Sequence, residues 1–378
     1  MTPEEIDLLS ELTIIIPTYN RPRELERSIE YWRDLPVTVH ILDGSEKPIF
    51  QVGQLPGLAK FFYHHFPNLK GEDWRDNYHR RIRFSAEICR SEYVALCSDD
   101  DIFTFHGLIA ALIALKNEKA DVILGKSAQY LHRNNVFEWK RIYANWKSDS
   151  FTLSSDPLMR LRSTVGGSTY YGIFESIFWR SIRISSVSKK FSNIVAVENI
   201  ANFLGKICCR LLVIDDYLWI TNYPDKTYGN APHKVEKFSE WLHNDINRDQ
   251  VRLLLVVIED GIRKLTQNYF ELDVTAIAEN LLVTKVKPKK MPFAIRLRLI
   301  IIRKALTFLS KLPLFLRVEI FGLLPSKFKR VLRTPDFVDS RTVTEELDTS
   351  DLNLIKAIEQ WEKILMMPRE ELRLRANI

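Results

Sequence analysis

The chain is poor in cysteine and has no long apolar run, and both shortages narrow what it can be. Its four cysteines, Cys89, Cys97, Cys208 and Cys209, show no CxxC or zinc-finger spacing, and an adjacent pair rarely bridges. Disulfides are not expected, and reduced thiols point to a cytoplasmic protein. No uninterrupted apolar stretch approaches the roughly 18 residues that a spanning helix needs, and the acidic start MTPEEIDLLSEL lacks the basic and apolar regions of a secretory signal. Internal repeats and low-complexity tracts are also absent. What remains is globular composition, 46% hydrophobic and 27% charged over 378 residues, enough for a large core.

Charge is unevenly spread. Residues 285–333 hold fourteen Lys or Arg against the single acid Glu319, a net +13 in a chain whose total is +6, so the remainder carries −7. The basic balance therefore belongs to one segment, which argues against general nucleic-acid binding and for a local anionic partner.

Over the first 125 residues short apolar strands alternate with amphipathic helices. LTIIIP (12–17), VTVHIL (37–42), KFFYHHF (60–66), YVALC (93–97) and ADVILG (120–125) read as strands; RPRELERSIEYWRDL, DNYHRRIRFSAEICR and FHGLIAALIALKN read as helices. Such alternation predicts a mostly parallel sheet with covered faces, whose ligands bind beyond the carboxyl ends of the strands. The polar spots after Ile16, Leu42 and Cys97 should thus converge on one edge. Further on, 127–146 reads as a hairpin turning at Asn134 and Asn135, 153–206 as mainly helical around Gly166 and Gly167, and LLVIDDYLWITNY (211–223) as a strand pair with Asp215 and Asp216 between. The expected division is a domain over 1–235 followed by a helical C-terminal region over 236–378.

Three consecutive carboxylates, Asp99, Asp100 and Asp101, end the YVALC strand. Like charges so close are costly when buried and dry, and a hard cation such as Mn2+ or Mg2+ would remove the cost while completing its shell with phosphate oxygens. A solvated helix cap is the alternative.

LTIIIPTYNRPRELERSI, VHILDGS and SEYVALCSDDD, in that order, resemble family 2 glycosyltransferases of the GT-A fold, of the bacterial surface-glycan type. The resemblance implies a GT-A nucleotide-sugar-binding fold and a metal-dependent, inverting transfer from a nucleotide-sugar, a UDP-sugar being the first expectation, to a glycan or lipid-linked acceptor. It implies base and ribose contacts from Pro17, Thr18, Tyr19 and Arg21, and a nucleotide role for Asp43, although Leu42 stands where the family usually has a second acid. Arg80 or Arg83 would pair with the diphosphate or with Asp43. Of the triplet, Asp101 is expected to be the main metal ligand, with Asp99 sharing the metal or joining Asp100 on ribose or sugar hydroxyls. His233 is a further candidate ligand. The family's base position falls on Asn199, which leaves the neighbouring Glu198 as candidate base and Asp216 as the reserve. The missing acids keep open a non-catalytic nucleotide-sugar-binding or scaffold protein.

The basic segment interleaves Leu, Ile and Phe with its cations, divided by Pro313 and Pro325, as an interfacial membrane element does. It predicts a peripheral protein on the inner face of the membrane, docked on anionic lipid. The tail DLNLIKAIEQWEKILMM (351–367) reads as an amphipathic helix for packing or homo-oligomer contact.

Overall fold

A computed structural model describes residues 1–49, 57–133, 136–142, 147–161, 163, 168–222, 238–266, 338–339 and 352–376. In chain order the elements are α1 (Pro3–Ser10), β1 (Leu12–Thr18), α2 (Pro22–Trp32), β2 (Thr38–Asp43), β3 (Lys60–His65), α3 (Trp74–Ile88), β4 (Tyr93–Leu96), β5 (Ile102–Phe103), α4 (Phe105–Asn117), β6 (Val122–Arg133), β7 (Val136–Ile142) and α5 (Pro157–Leu161). They continue with β8 (Ile173–Glu175), α6 (Ser176–Ser186), α7 (Val195–Cys208), β9 (Leu211–Asn222), α8 (Phe238–His243), α9 (Arg248–Thr266), β10 (Val338–Asp339), α10 (Leu352–Met366) and α11 (Arg369–Ala376).

One ten-stranded sheet runs in the order β10-β7-β6-β8-β4-β1-β2-β3, with β9 alongside β6 and β5 alongside β9. The half formed by β4, β1, β2 and β3 is wholly parallel, as the βα alternation predicts. Beyond it β8 runs antiparallel between β4 and β6, and β6 and β7 form the expected hairpin. Alternation along β1 feeds two cores: Ile14 and Ile16 face one cluster and Ile15 the other. The first cluster includes Leu25, Ile29 and Trp32 of α2; the second includes Ile82 of α3, Trp179 of α6 and Leu204 of α7. Both faces are therefore covered, which leaves the strand ends as the place for a ligand.

Two expectations change. Residues 211–222 form one strand, and the Asp215-Asp216 pair lies within it beside a register irregularity against β6, because the polar pair is taken up by a bulge instead of a turn. Residues 153–206 contain the short strand β8 as well as helices. The C-terminal helices join the first core: Leu354, Ile358, Trp361, Leu365 and Leu372 pack in the cluster of α2, and β10 pairs with β7. Glu26 of α2 accepts from both Arg369 and Arg373. His233, the Asn134-Asn135 turn, Gly166, Gly167 and the basic segment 285–333 lie outside the described residues. No helix among the described residues is long and apolar enough to cross a membrane.

Candidate active site

The loop after β1 is built by a Pro-initiated helix and one left-handed residue. Pro22 opens α2, and Asn20 takes φ 54°, a conformation that asparagine tolerates better than most residues. The resulting turn lays Thr18 and Arg21 against the acidic triplet. Thr18 Oγ1 donates to Asp99 Oδ2 at 2.7 Å, while Arg21 spans two acids, Nη1 to Asp99 Oδ1 and Nη2 to Asp100 Oδ2, each at 2.6 Å. Burial works against the Arg21 charge, yet Asp99 and Asp100 outweigh it and raise the guanidinium pKa.

The three acids differ in what is left free. Asp99 is buried and has both oxygens engaged; burial, countered by Arg21, pushes its carboxyl up to about 7. Asp100 Oδ2 also accepts from Asn222 Nδ2 at 3.1 Å, and Asp101 Oδ1 accepts from Thr221 Oγ1 at 2.9 Å and the Asn222 backbone N–H at 3.0 Å. Burial, then the Asp100 charge, drives the Asp101 carboxyl well above its ordinary range. Asp100 Oδ1 and Asp101 Oδ2 accept no hydrogen bond among the described residues. No group of three or more His, Cys, Asp or Glu is arranged to hold a metal among the described residues, so a cation at these two oxygens would have to draw most of its shell from phosphate and water. The free pair is Asp100 with Asp101; Asp99, expected beside Asp101, is bound up with Arg21 and Thr18.

The loop after β2 is locked by its own acid. Asp43 is fully buried, its Oδ1 accepts from the Ser45 N–H at 2.8 Å and from the Ser45 hydroxyl, and its Oδ2 accepts from the Ile49 N–H at 3.1 Å and from the Tyr63 hydroxyl. Ser45 Oγ in turn accepts from the Asn20 N–H at 2.8 Å, which ties this loop to the first. Asp43 thus shapes the loops from beneath.

The helical arginines sort themselves by phase. Arg80 pairs with Glu72 and lies over Phe66, and Arg83 donates to the Val187 carbonyl, so neither reaches Asp43 or the triplet. The inward residue is Arg81, whose Nη1 donates to the carbonyls of Thr18 at 2.8 Å and Leu42 at 3.0 Å while Nε donates to Asn77 Oδ1. Gly44 makes room for it: a Cβ there would meet Asn77 Oδ1 at 2.5 Å and Arg81 Cζ at 2.8 Å. Its signal in the sequence was the i, i+4 pair Asn77 and Arg81 on the face that also carries Ile82 and Ala86.

Across from the triplet stands the first turn of α7. Glu198 is half-buried, it accepts from Ser168 Oγ at 3.5 Å among the described residues, and burial raises its pKa against the opposing pull of Arg183. Tyr171 stacks on Trp219 at 4.4 Å, and burial, then the charges of Glu198 and Asp101, drives its hydroxyl pKa well up. A small cavity there is lined by Gly125, Ser127, Ser168, Tyr171 and Trp219. Asn199 turns its amide back onto the Val195 carbonyl. Asp216 sits apart on β9: burial raises its pKa, and the charges around it are those of Asp215, Lys126 and His106. No sequence pattern announced Thr221, Asn222, Ser168 or Tyr171.

No curated protein is similar enough in sequence to count as a match. Among solved structures, S. aureus TarS residues 1–349 in complex with UDP is similar at TM-score 0.41 and 12% identity, over 82% of this chain and 78% of that one. The same protein in complex with UDP-GlcNAc gives 0.35 and 14%, over 72% and 78%. A further TarS structure gives 0.38 and 13%, over 93% of this chain and 54% of that one. The model described as glycosyl transferase family 2 matches residues 13–181, which runs from β1 into α6 and takes in the Thr18-Arg21 loop and the triplet. Over that span the chain matches the family 2 glycosyltransferase model, the family that its three strand-end motifs resemble.

Proposed function

We propose that the protein transfers a sugar from a UDP-sugar to a glycan or lipid-linked acceptor with inversion, and that the reaction depends on Mn2+ or Mg2+. The observation that carries the reading is the meeting of Thr18 and Arg21 with Asp99, Asp100 and Asp101 at the carboxyl ends of β1 and β4, inside the matched domain. Pro17, Thr18 and Tyr19 would offer the base and ribose a rigid strand-end surface, which Asp43 and Arg81 support from below. Asp101 with Asp100 would hold the cation. That cation would supply charge neutralisation for a diphosphate leaving group.

The chain's own groups do the rest. Arg21 pairs with Asp99 and Asp100 and orients both carboxylates, and its guanidinium is partly open to solvent. Glu198 would take the proton from the acceptor hydroxyl as that oxygen bonds to the sugar's anomeric carbon and the bond to the diphosphate breaks, the electron pair leaving with phosphate. A half-buried carboxyl with a raised pKa suits this step, because its carboxylate is a stronger base than an exposed one. Basic residues 285–333 would dock the protein on an anionic membrane that carries the acceptor. Calorimetry against UDP, GDP, CDP and dTDP with Mn2+ tests the donor: tight, metal-dependent binding of UDP supports the reading, and equal or absent binding of all four overturns it.

A further inference from the structure

The acidic loop is held from behind by the far end of the chain. Trp361 on α10 is wholly buried and stands edge-on to two tyrosines, Tyr31 at 5.7 Å and Tyr130 at 6.4 Å. Both tyrosines are buried too, and both place their hydroxyls on the segment that carries the acids. Tyr31 donates to the Phe103 carbonyl at 2.6 Å, and Tyr130 donates to the Asp100 carbonyl at 2.8 Å. A second indole repeats the link: Trp139 tilts against Tyr130 at 5.5 Å and donates Nε1 to Glu362 Oε1, also on α10, at 2.7 Å.

The loop itself has little regular structure to fix it. Between β4 and the two-residue β5 its backbone bonds are few, the turn from Asp101 N–H to the Ser98 carbonyl among them. Two tyrosine hydroxyls ending on one short segment therefore matter to where its carboxylates sit, and the ring that fixes both tyrosines comes from the tail. Tyrosines that only filled the core would have no reason to end on the same loop.

We infer that Trp361 is a positioning residue for the acidic loop, and that the C-terminal helix pair is a buttress which, through Tyr31 and Tyr130, sets the backbone on which Asp99, Asp100 and Asp101 are mounted. Its consequence for donor binding rests on the proposed function, while its effect on the loop does not.

Amide hydrogen exchange of residues 98–103 in the ligand-free full chain tests it. Trp361→Ala and Tyr130→Phe should speed exchange there by up to about tenfold, the loss of roughly one hydrogen bond's worth of local protection. Trp361→Phe, which keeps a ring against the tyrosines, should restore much of it. Arg369→Ala, which removes one of the two arginines paired with the buried Glu26 and leaves Arg373 in place, should leave the loop unchanged. The apparent affinity for UDP with Mn2+ should fall in the same order. The inference is overturned if Tyr130→Phe leaves loop exchange at the parent rate, if exchange rises equally over the whole sheet, or if Arg369→Ala matches Trp361→Ala. Should Trp361→Ala fail to fold, Tyr130→Phe, which removes a single oxygen, decides alone. A parent chain that binds no nucleotide would overturn the donor reading and leave the exchange result standing.

Discussion

Burial raises the pKa of Glu198 as it does those of Asp99 and Asp101 in the triplet, but the chain treats the two groups in opposite ways. Around Asp99, Asp100 and Asp101 it supplies Arg21, Thr18, Thr221 and Asn222, so that most carboxylate oxygens have fixed donors within about hydrogen-bond distance. Around Glu198 the described residues supply one hydroxyl at 3.5 Å and the charge of Arg183. Dense donors hold a charge in place; sparse ones leave a carboxylate able to pick up and release a proton. On the proposed function, the contrast suits fixed ligand-holding groups on one side of the site and proton transfer at Glu198 on the other.

The largest effect should come from breaking the charged wall. Asp101→Asn should abolish Mn2+-dependent UDP binding, since it removes a cation oxygen while the amide oxygen can still accept from Thr221 and Asn222. Its melting temperature should stay level or rise, because a buried carboxyl driven well above its ordinary pKa is relieved by neutralisation. Calorimetry and a thermal melt on the same sample check both halves. If UDP and Mn2+ bind as in the parent, the triplet holds no cation, and since Thr104 rather than an aspartate caps α4, it serves only to tie the loops together.

Breaking the other wall should affect rate and spare affinity. Glu198→Gln should cut transfer by about two to four powers of ten with donor affinity hardly moved, as a general base acts on the transition state. Because the folded-state pKa of Glu198 is raised, the folded protein holds that proton more tightly than the unfolded chain. Its contribution to stability therefore falls as pH rises from the ordinary carboxyl value through the raised one. Glu198→Gln should accordingly melt higher than the parent above that window, and its residual rate should lack the acid limb that the parent shows. Unchanged transfer would move the base to Asp216.

Arg21→Met sharpens the comparison from the side of the donors. It leaves Asp99 and Asp100 without their shared cation, and the fold should lose on the order of 1.5–3 kcal/mol, the worth of hydrogen bonds to charged groups, moderated by the partial exposure of the arginine. Added Mn2+ should restore part of the lost melting temperature. A variant as stable as the parent without metal would mean that the triplet does not need a cation beside it.

The smallest effect on the site, though not on the protein's place in the cell, concerns residues 285–333. The intact chain should pellet with anionic liposomes at low salt and release as salt rises, since a surface potential is screened within about 10 Å at 0.1 M. A variant with its Lys and Arg between 285 and 304 changed to Gln should stay in the supernatant. Equal behaviour of the two would make the segment an ordinary solvated helical region.

Much of the catalytic half was legible because its signals are local. An apolar run closed by Pro17, a helix opened by Pro22 and three acids at the end of YVALC each declare themselves within a few residues. What stayed hidden depends on partners. Three arginines within four positions of α3 look alike as charges, and only the face that Asn77 and Arg81 share with Ile82 and Ala86 singles out Arg81 as the inward one in place of Arg80 and Arg83. The Asp215-Asp216 pair looks like a turn until β6 is seen to run past it with a bulge. The amphipathic tail showed that it had an apolar face, but periodicity cannot say what covers such a face, and here it is α2 and two tyrosines tied to the acidic loop.

Release of free nucleotide from a panel of UDP-sugars, with Mn2+ and then with chelator, in the parent and in Asp101→Asn, tests the central claim most directly. The account predicts slow, metal-dependent release from at least one donor by the parent, quenched by chelator and absent from Asp101→Asn. Equal release by both chains, or binding of every donor with no turnover by the parent, would contradict it.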